Sequence, residues 1–135
     1  MENKNELESG FSIINLILLE SNFNRISNVT FNNPSIVQQI DVNVDVNVKE
    51  NSIFVTEQIV FKQVFNGIDE VSASIKMVGV FEKIGESILD LENFGQINGA
   101  AIIFPYLREH LSNLSAKAGL GLIILPPFNF TRNKK

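Results

Sequence analysis

Residues 40–48 read IDVNVDVNV, and this stretch decides the fold class of the chain. Ile40 and four valines alternate with aspartate and asparagine residues, so the β-branched and the polar side chains point to opposite faces of an extended backbone. A period of two predicts a strand with one buried face and one solvated face.

The sequence that follows continues the sheet. Residues 53–65 form a second apolar run, which ends at Asn66-Gly67, a pair suited to the positive φ angles of a tight hairpin turn. Residues 71–84 then return with the same alternation. We therefore predict an antiparallel meander over residues 40–84.

A fourth strand is predicted upstream of the meander. Residues 13–19 are almost continuously apolar, which is typical of a strand covered on both faces. A longer connection containing Asn32-Asn33-Pro34 joins this run to residue 40, and the sequence does not give its place in the sheet. Residues 1–10 are polar, and we expect them to be flexible.

After Gly85 the apolar period changes to that of a helix. One apolar stripe runs through residues 97–118, and Gly119 is a candidate C-terminal cap. Pro105 lies inside the stripe and predicts a kink or a helix in two pieces. The apolar residues that follow contain Pro126-Pro127, a pair that a central strand does not accommodate, so they predict a loop.

The predicted architecture is thus an α+β single domain over residues 1–135: a four-stranded antiparallel sheet, a long helix and an apolar, proline-containing C-terminal loop. Hydrophobic residues make up 44% of the 135 residues and include 11 phenylalanines. A domain this small leaves part of that apolar area outside its own core, so we expect an oligomer interface or a binding groove. The strand at 53–65 and the helix stripe are the expected subunit contacts.

Composition also excludes several classes of protein. The net charge of −4 argues against nucleic-acid binding. No apolar run approaches the roughly 20 residues that span a bilayer, so we expect no membrane insertion. The polar N-terminus lacks the apolar core of a secretion signal and the chain has no cysteine, which together favour the cytoplasm.

Enzyme chemistry has little support. His110 is the only histidine, so a catalytic Ser/His or Cys/His unit would depend on it alone. A zinc site needs several histidine or cysteine ligands. We expect no catalytic residue, no metal and no cofactor, and a structural or surface role for His110.

The C-terminal third carries a family resemblance. Residues 104–130, FPYLREHLSNLSAKAGLGLIILPPFNF, resemble the SecB protein-export chaperones, whose pattern runs roughly FPYARE, a helix, a glycine and an apolar loop ending in PxNF. Residues 29–34, VTFNNP, are similar to the family's VSFEAP segment. The positions that match the C-terminal motif are Phe104, Pro105, Tyr106, Arg108, Glu109, Pro127, Asn129 and Phe130.

The resemblance implies a holdase rather than an enzyme. Family members are tetramers, built as dimers of dimers, and their grooves bind extended, unfolded precursors and keep them competent for export. It therefore implies a homo-oligomer, dimer or tetramer, with precursor polypeptides as partners. For each candidate groove residue, a place in the core or at a subunit interface is an equally weighted alternative. The candidates are Phe31, Leu122, Ile124, Leu125, Phe128 and Phe130.

Two departures from the family pattern affect the expected partners. Where the family continues into a second helix and an acidic tail, residues 131–135 are short and basic, and we expect them to be flexible. Because the acidic tail helps SecB proteins engage SecA, we expect that contact to be weak or absent. Residues 20–25 also look like an insertion relative to the family's first strand.

Alternative functions follow from the same family and from the fold class. SecB-like proteins also serve toxin–antitoxin systems, so a dedicated chaperone of such a system, or a module for a single partner, is the first alternative. A small-ligand-binding α+β protein is a further one.

Overall fold

A computed structural model describes residues 10–84, 90–123, 125 and 128–131. The expected flexibility at the two ends falls largely outside these residues. In the described part, a four-stranded antiparallel sheet has the order β1-β4-β3-β2 and is followed by helical elements, which confirms the α+β class. The elements are β1 (Phe11–Arg25), β2 (Val37–Lys49), β3 (Ser52–Phe65), β4 (Ile68–Lys83), α1 (Leu91–Phe94), a π-helical turn (Gly95–Gly99) and α2 (Ala100–Lys117).

The predicted meander is present as β2, β3 and β4. Phe65 pairs with Ile68 across the second hairpin. Between them Asn66 and Gly67 have φ angles of +51° and +75°, the left-handed conformation that their sequence indicated. The fourth strand, β1, lies at an edge of the sheet beside β4.

β1 is longer than predicted and is not covered on both faces. It continues to Arg25 because its polar second half pairs with β4, from Glu20 opposite Lys76 to Arg25 opposite Val71. The pairing shifts between Ile13 and Asn15 and again between Leu18 and Glu20. Residues 20–25 therefore belong to a continuous edge strand.

Helix α2 packs closely on one face of the sheet. Gly79 of β4 lies beneath Ile103, and a Cβ atom at Gly79 would be only 2.8 Å from Ile103 Cδ1. A Cβ atom at Gly95 would be 2.7 Å from Cγ1 of Val46, a β-branched side chain on β2. The missing side chains at these two glycines allow the helical segment to approach the sheet.

The predicted apolar stripe of the helix fills the core. Ile103, Leu107 and Leu111 are fully buried against the sheet within one chain. Alternate residues of β3, such as Val55 and Ile59, are equally buried on the facing side. The expectation that the stripe and β3 form subunit contacts was therefore wrong for these side chains, because the two surfaces cover each other.

Pro105 does not divide α2 into two pieces or end it, since the helix runs unbroken from Ala100 to Lys117. The irregular turn comes earlier, at Gly95–Gly99. The cap at Gly119 is confirmed: its φ is +77°, its N–H donates to Ala116 O, and Leu120 N–H donates to Ser115 O. These two hydrogen bonds form a Schellman motif.

A carboxyl group interrupts the buried face of β3. Glu57 is 0% exposed, and neither of its side-chain oxygens has a hydrogen-bond partner. Its neighbours across the strands are Val44 and Met77. Desolvation by burial raises the pKa of Glu57 from 4.5 to about 9, so the carboxyl is protonated at neutral pH.

Glu57 makes the stability of the fold depend on pH. The folded state holds a proton that the unfolded state releases above its pKa of 4.5, so the free energy of unfolding falls as the pH rises from 4.5 toward about 9. We expect Glu57→Met to remove this dependence. The stability that the variant gains over its parent should be larger at pH 8 than at pH 5.5, by at most about 3 kcal/mol in the free energy of unfolding. Urea unfolding at the two pH values measures it.

The exposed residue Glu82 provides the control, because Glu82→Gln changes a carboxyl outside the core. This variant should keep the pH dependence of the parent protein. A Glu57→Met protein no more stable than its parent at pH 8 would contradict the burial of an unpartnered carboxyl.

Candidate functional site

The chain turns back along α2 after the Schellman motif, and two helix serines hold it there. The hydroxyl of Ser115 donates to Gly121 O at 2.6 Å, and the hydroxyl of Ser112 donates to Ile123 O at 2.6 Å. Ile123 and Leu125 are buried in the core, whereas Leu122 between these anchors is 67% exposed. The returning segment thus presents Leu122 to solvent.

Three phenylalanines form a cluster between α2 and the end of this segment. The ring of Phe104 lies 5.8 Å from that of Phe130 and 6.1 Å from that of Phe128. Arg108 stacks over Phe104, with its guanidinium carbon 5.7 Å from the ring centre. A cleft of about 330 Å³ borders the cluster, lined by Ile97, Ala101, Phe128, Asn129, Phe130 and Thr131.

The crossover segment, residues 26–36 between β1 and β2, is fixed by two charged side chains. The Arg25 guanidinium donates to the carbonyls of Ile26 and Ser27, both at 2.9 Å, and to the carbonyl of Ala118, the residue that follows α2, at 2.5 Å. The buried Glu70 carboxylate accepts hydrogen bonds from Thr30 N at 2.7 Å and from Thr30 Oγ1 at 2.9 Å. Phe31 follows directly and is 56% exposed.

Exposed apolar side chains collect at this end of the molecule. The end of β1 meets the start of β4 here, since Ile26 N–H donates to Glu70 O. The start of β2 and the end of β3 meet here as well, through Val37 opposite Val64. We call the exposed residues of this region the apolar end cluster: Ile26, Phe31, Val37, Ile68 and Leu122.

The structure separates the predicted groove residues into two groups. Phe31 and Leu122 are exposed and belong to the apolar end cluster. Leu125 and Phe130 are buried in the core and offer no surface in this arrangement, because the returning segment turns them toward the sheet and α2. Phe128 is half-buried beside the cleft, and Ile124 lies outside the described residues.

The structure places the family-motif residues partly in the core and partly at the surface. Phe104 is in the core, while Pro105 and Tyr106 are exposed on α2. Glu109 accepts a hydrogen bond from Asn113 one turn later, at 3.3 Å. Asn129 accepts hydrogen bonds from Thr131 N and Thr131 Oγ1 and so shapes the end of the loop. Pro127 lies outside the described residues.

Three members of the apolar end cluster were missed in the sequence. Ile26, Val37 and Ile68 each stand where a strand begins or ends. Ile68 directly follows the Asn66-Gly67 turn, so an apolar residue beside a strong turn signal could have marked it. Whether Ile68 is exposed depends on which segments cover that end of the sheet, and the periodicity of the sequence does not predict this.

The single histidine serves a contact between helix and strand. His110 Nε2 lies 2.8 Å from Ser21 Oγ of β1, and among the described residues no carboxylate is hydrogen-bonded to the other ring nitrogen. This is an exposed pair without the orienting acid of a catalytic triad. Within the described ranges, no group of three or more histidine, cysteine, aspartate or glutamate residues could hold a metal ion.

Comparison with known families identifies the fold. The model of a family described as preprotein translocase subunit SecB matches residues 19–132. The chain belongs to the SecB family. In the part of the chain that the structure describes, no helix is both long and apolar enough to cross a membrane.

Two individual proteins are similar to this chain in sequence. A protein-export protein SecB of Saccharophagus degradans is 29% identical over 102 residues, covering 71% of this chain and 61% of the relative. An uncharacterized protein of Methanocaldococcus jannaschii is 43% identical over 56 residues, covering 42% of this chain and 36% of the relative. The chain thus spans less than two thirds of the length of both relatives.

A solved structure shares the fold. The SecB-like chaperone Rv1957 of Mycobacterium tuberculosis, in complex with a ChAD peptide from the Rv1956 HigA1 antitoxin, superposes with a TM-score of 0.72 at 14% identity. The match covers 87% of this chain and 90% of Rv1957. At this identity the match shows a SecB-like fold.

The two groups of apolar residues should respond differently to mutation. Phe31→Ser with Leu122→Ser changes exposed side chains, so we expect the melting temperature to stay within a few degrees of the parent. Leu125→Ser with Phe130→Ser buries two hydroxyls and opens cavities, which costs several kcal/mol and should unfold the protein or lower its melting temperature sharply. Thermal unfolding followed by circular dichroism compares the variants. Equal melting temperatures for the two double variants would contradict the separation.

Proposed function

We propose that this protein is a holdase that binds unfolded or precursor polypeptides through exposed apolar surface and keeps them competent for export from the cytoplasm. The observation that carries the proposal is the apolar end cluster on a SecB fold. Phe31 and Leu122 do not stabilise the folded chain through burial while they are exposed to water. When a client covers them, the removal of their apolar surface from water favours binding.

The size of that gain is suited to holding. Removing apolar surface from water contributes roughly 25 cal/mol per Å², so several hundred Å² of contact offsets the cost of ordering an extended client. Such contacts have no fixed direction and therefore tolerate many sequences. The hydrogen bonds of Arg25 and Glu70 support this function, because they hold the crossover segment in place with Phe31 exposed before any client binds.

We propose further that the protein acts as a homo-oligomer, a dimer or a tetramer. The support comes from the edge strand β1, where Ile14, Ile17, Leu18 and Leu19 are 57%, 41%, 44% and 54% exposed. A row of exposed apolar side chains favours self-association through side-chain contacts, and a two-fold interface covers the same patch on both copies. Burial of β1 would remove much of the remaining exposed apolar surface.

A dedicated chaperone of a toxin–antitoxin system is the second candidate. The observation that favours it is the shared fold with Rv1957, which was solved with a peptide from an antitoxin. A small-ligand-binding role has less support. The cleft of about 330 Å³ lies at the small end of ligand pockets and has no charged residue in its lining.

Aggregation suppression tests the holdase. The protein should slow the aggregation of an unrelated, chemically unfolded polypeptide at micromolar concentration, and Phe31→Ser with Leu122→Ser should weaken this effect several-fold because the apolar contact is lost. Light scattering should give a mass of at least a dimer for both proteins. The matched control is Tyr106→Ser, which removes an exposed aromatic of α2 outside the apolar end cluster.

The outcome separates the candidates. Suppression of many unrelated substrates supports general holding, and binding restricted to one antitoxin segment supports the dedicated chaperone. A monomeric protein that suppresses nothing would overturn both.

A further inference from the structure

The outer edge of β2 is unusually regular. β2 pairs with β3 over 13 successive positions, from Val37 opposite Val64 to Lys49 opposite Ser52, without a register shift. The sheet order places β2 at the end opposite β1. Among the described residues no backbone hydrogen bond reaches its outer side, so alternate N–H and C=O groups point to solvent.

The two faces of β2 differ sharply in chemistry. The residues on the helix side are β-branched and only half-buried, because no further strand lies beyond them. They are Ile40, Val42, Val44, Val46 and Val48. The residues on the opposite face are polar and exposed: Asp41, Asn43, Asp45 and Asn47. The side chains of an added strand would cover the β-branched residues on the helix side of β2. On the other face they would lie next to its polar residues.

The two aspartates have no basic partner on the neighbouring strand. Asp41 lies opposite Val60, and Asp45 lies opposite Thr56. The ion pairs found among the described residues are elsewhere, between Lys62 and Asp69 and between Lys76 and Glu20. Two carboxylates spaced four residues apart on one face thus complement a strand that carries two cations at the same spacing.

We propose that the outer edge of β2 accepts an extended segment of client polypeptide as a fifth strand. The added strand places apolar side chains against the β-branched row and lysine or arginine opposite Asp41 and Asp45. This inference rests on the proposed holdase function and specifies its mode of binding: backbone hydrogen bonds supply affinity for any sequence, and the aspartates select for positive charge.

The opposite edge is poorly suited to the same role. β1 carries two register shifts, at Ile13/Asn15 and Leu18/Glu20, and such irregularities bend an edge and interrupt its hydrogen-bonding ladder. The regular ladder that strand addition requires is therefore offered by β2.

A second copy of the chain is also a poor occupant of the β2 edge. Two β2 strands related by a two-fold axis near Asn43 would bring Asp41 of one copy opposite Asp45 of the other, on the same face. Like charges directly opposite each other destabilise a strand pair. Charge therefore favours a basic client strand over self-pairing.

Designed peptides test the proposal with the full chain. The probe is a fluorescent eleven-residue peptide in which valine alternates with polar residues, with lysine at two polar positions four residues apart. Fluorescence anisotropy should show this peptide binding about tenfold more tightly than the matching glutamate peptide, and Asp41→Lys with Asp45→Lys should reverse the order. N-methylation of single peptide amides should abolish binding at every second position, because only alternate amides face β2.

A charge-matched variant controls for long-range electrostatics. Glu82→Lys with Glu109→Lys changes the net charge equally at exposed residues of β4 and α2, and it should preserve the preference for lysine. Equal loss in both variants, or N-methylation effects without a period of two, would overturn the proposal. A dimer that Asp41→Lys with Asp45→Lys dissociates would also overturn it, since a second copy would then occupy the edge. If aggregation suppression persists while the peptides fail to bind, the β2 inference fails and the holdase stands.

Discussion

One helix has to cover one face of a sheet that is much longer than itself. α2 has 18 residues and spans about 27 Å, whereas the 16 residues of β4 extend about 50 Å. Close contact is possible because Gly79 and Gly95 present no side chain where the helical segment meets the sheet. The remaining cover comes from two irregular segments, which is why their anchors matter. Arg25 and Glu70 hold the crossover segment, and the serines of α2 hold the returning C-terminal segment.

Incomplete cover links the fold to the proposed function. The irregular segments bury Val29, Ile123 and Leu125 but leave the apolar end cluster exposed to water. The edge strands also carry apolar side chains that the described residues do not fully cover. Exposed apolar surface of this kind marks interaction sites or promotes aggregation. The protein also buries the unpartnered carboxyl of Glu57, so its core is not optimised for stability alone. This distribution of apolar surface suits the proposed binding of client polypeptides.

Much of the fold could be predicted from the sequence because local patterns decide it. The alternation at Ile40 to Val48, the turn at Asn66-Gly67 and the cap at Gly119 each depend on neighbours in sequence, and all three are confirmed. β1 was predicted too short because the polar half of an edge strand has no apolar period to detect. The division of the C-terminal residues into exposed Leu122 and buried Leu125 was out of reach, since it depends on hydrogen bonds from serines on α2. Glu57, in contrast, could have been noticed as the one carboxylate in the apolar row of β3.

Amide hydrogen exchange with a bound client tests polypeptide holding most directly. The full chain is compared alone and with an unfolded, unrelated polypeptide in excess. Exchange should slow in the crossover segment, along β2 and around residues 120–123, while the amides inside α2 should exchange at unchanged rates because the helix is already packed on the sheet. Unchanged exchange in all three segments despite a bound client, or slowing confined to α2, would contradict a client-binding surface at the apolar end cluster and the β2 edge.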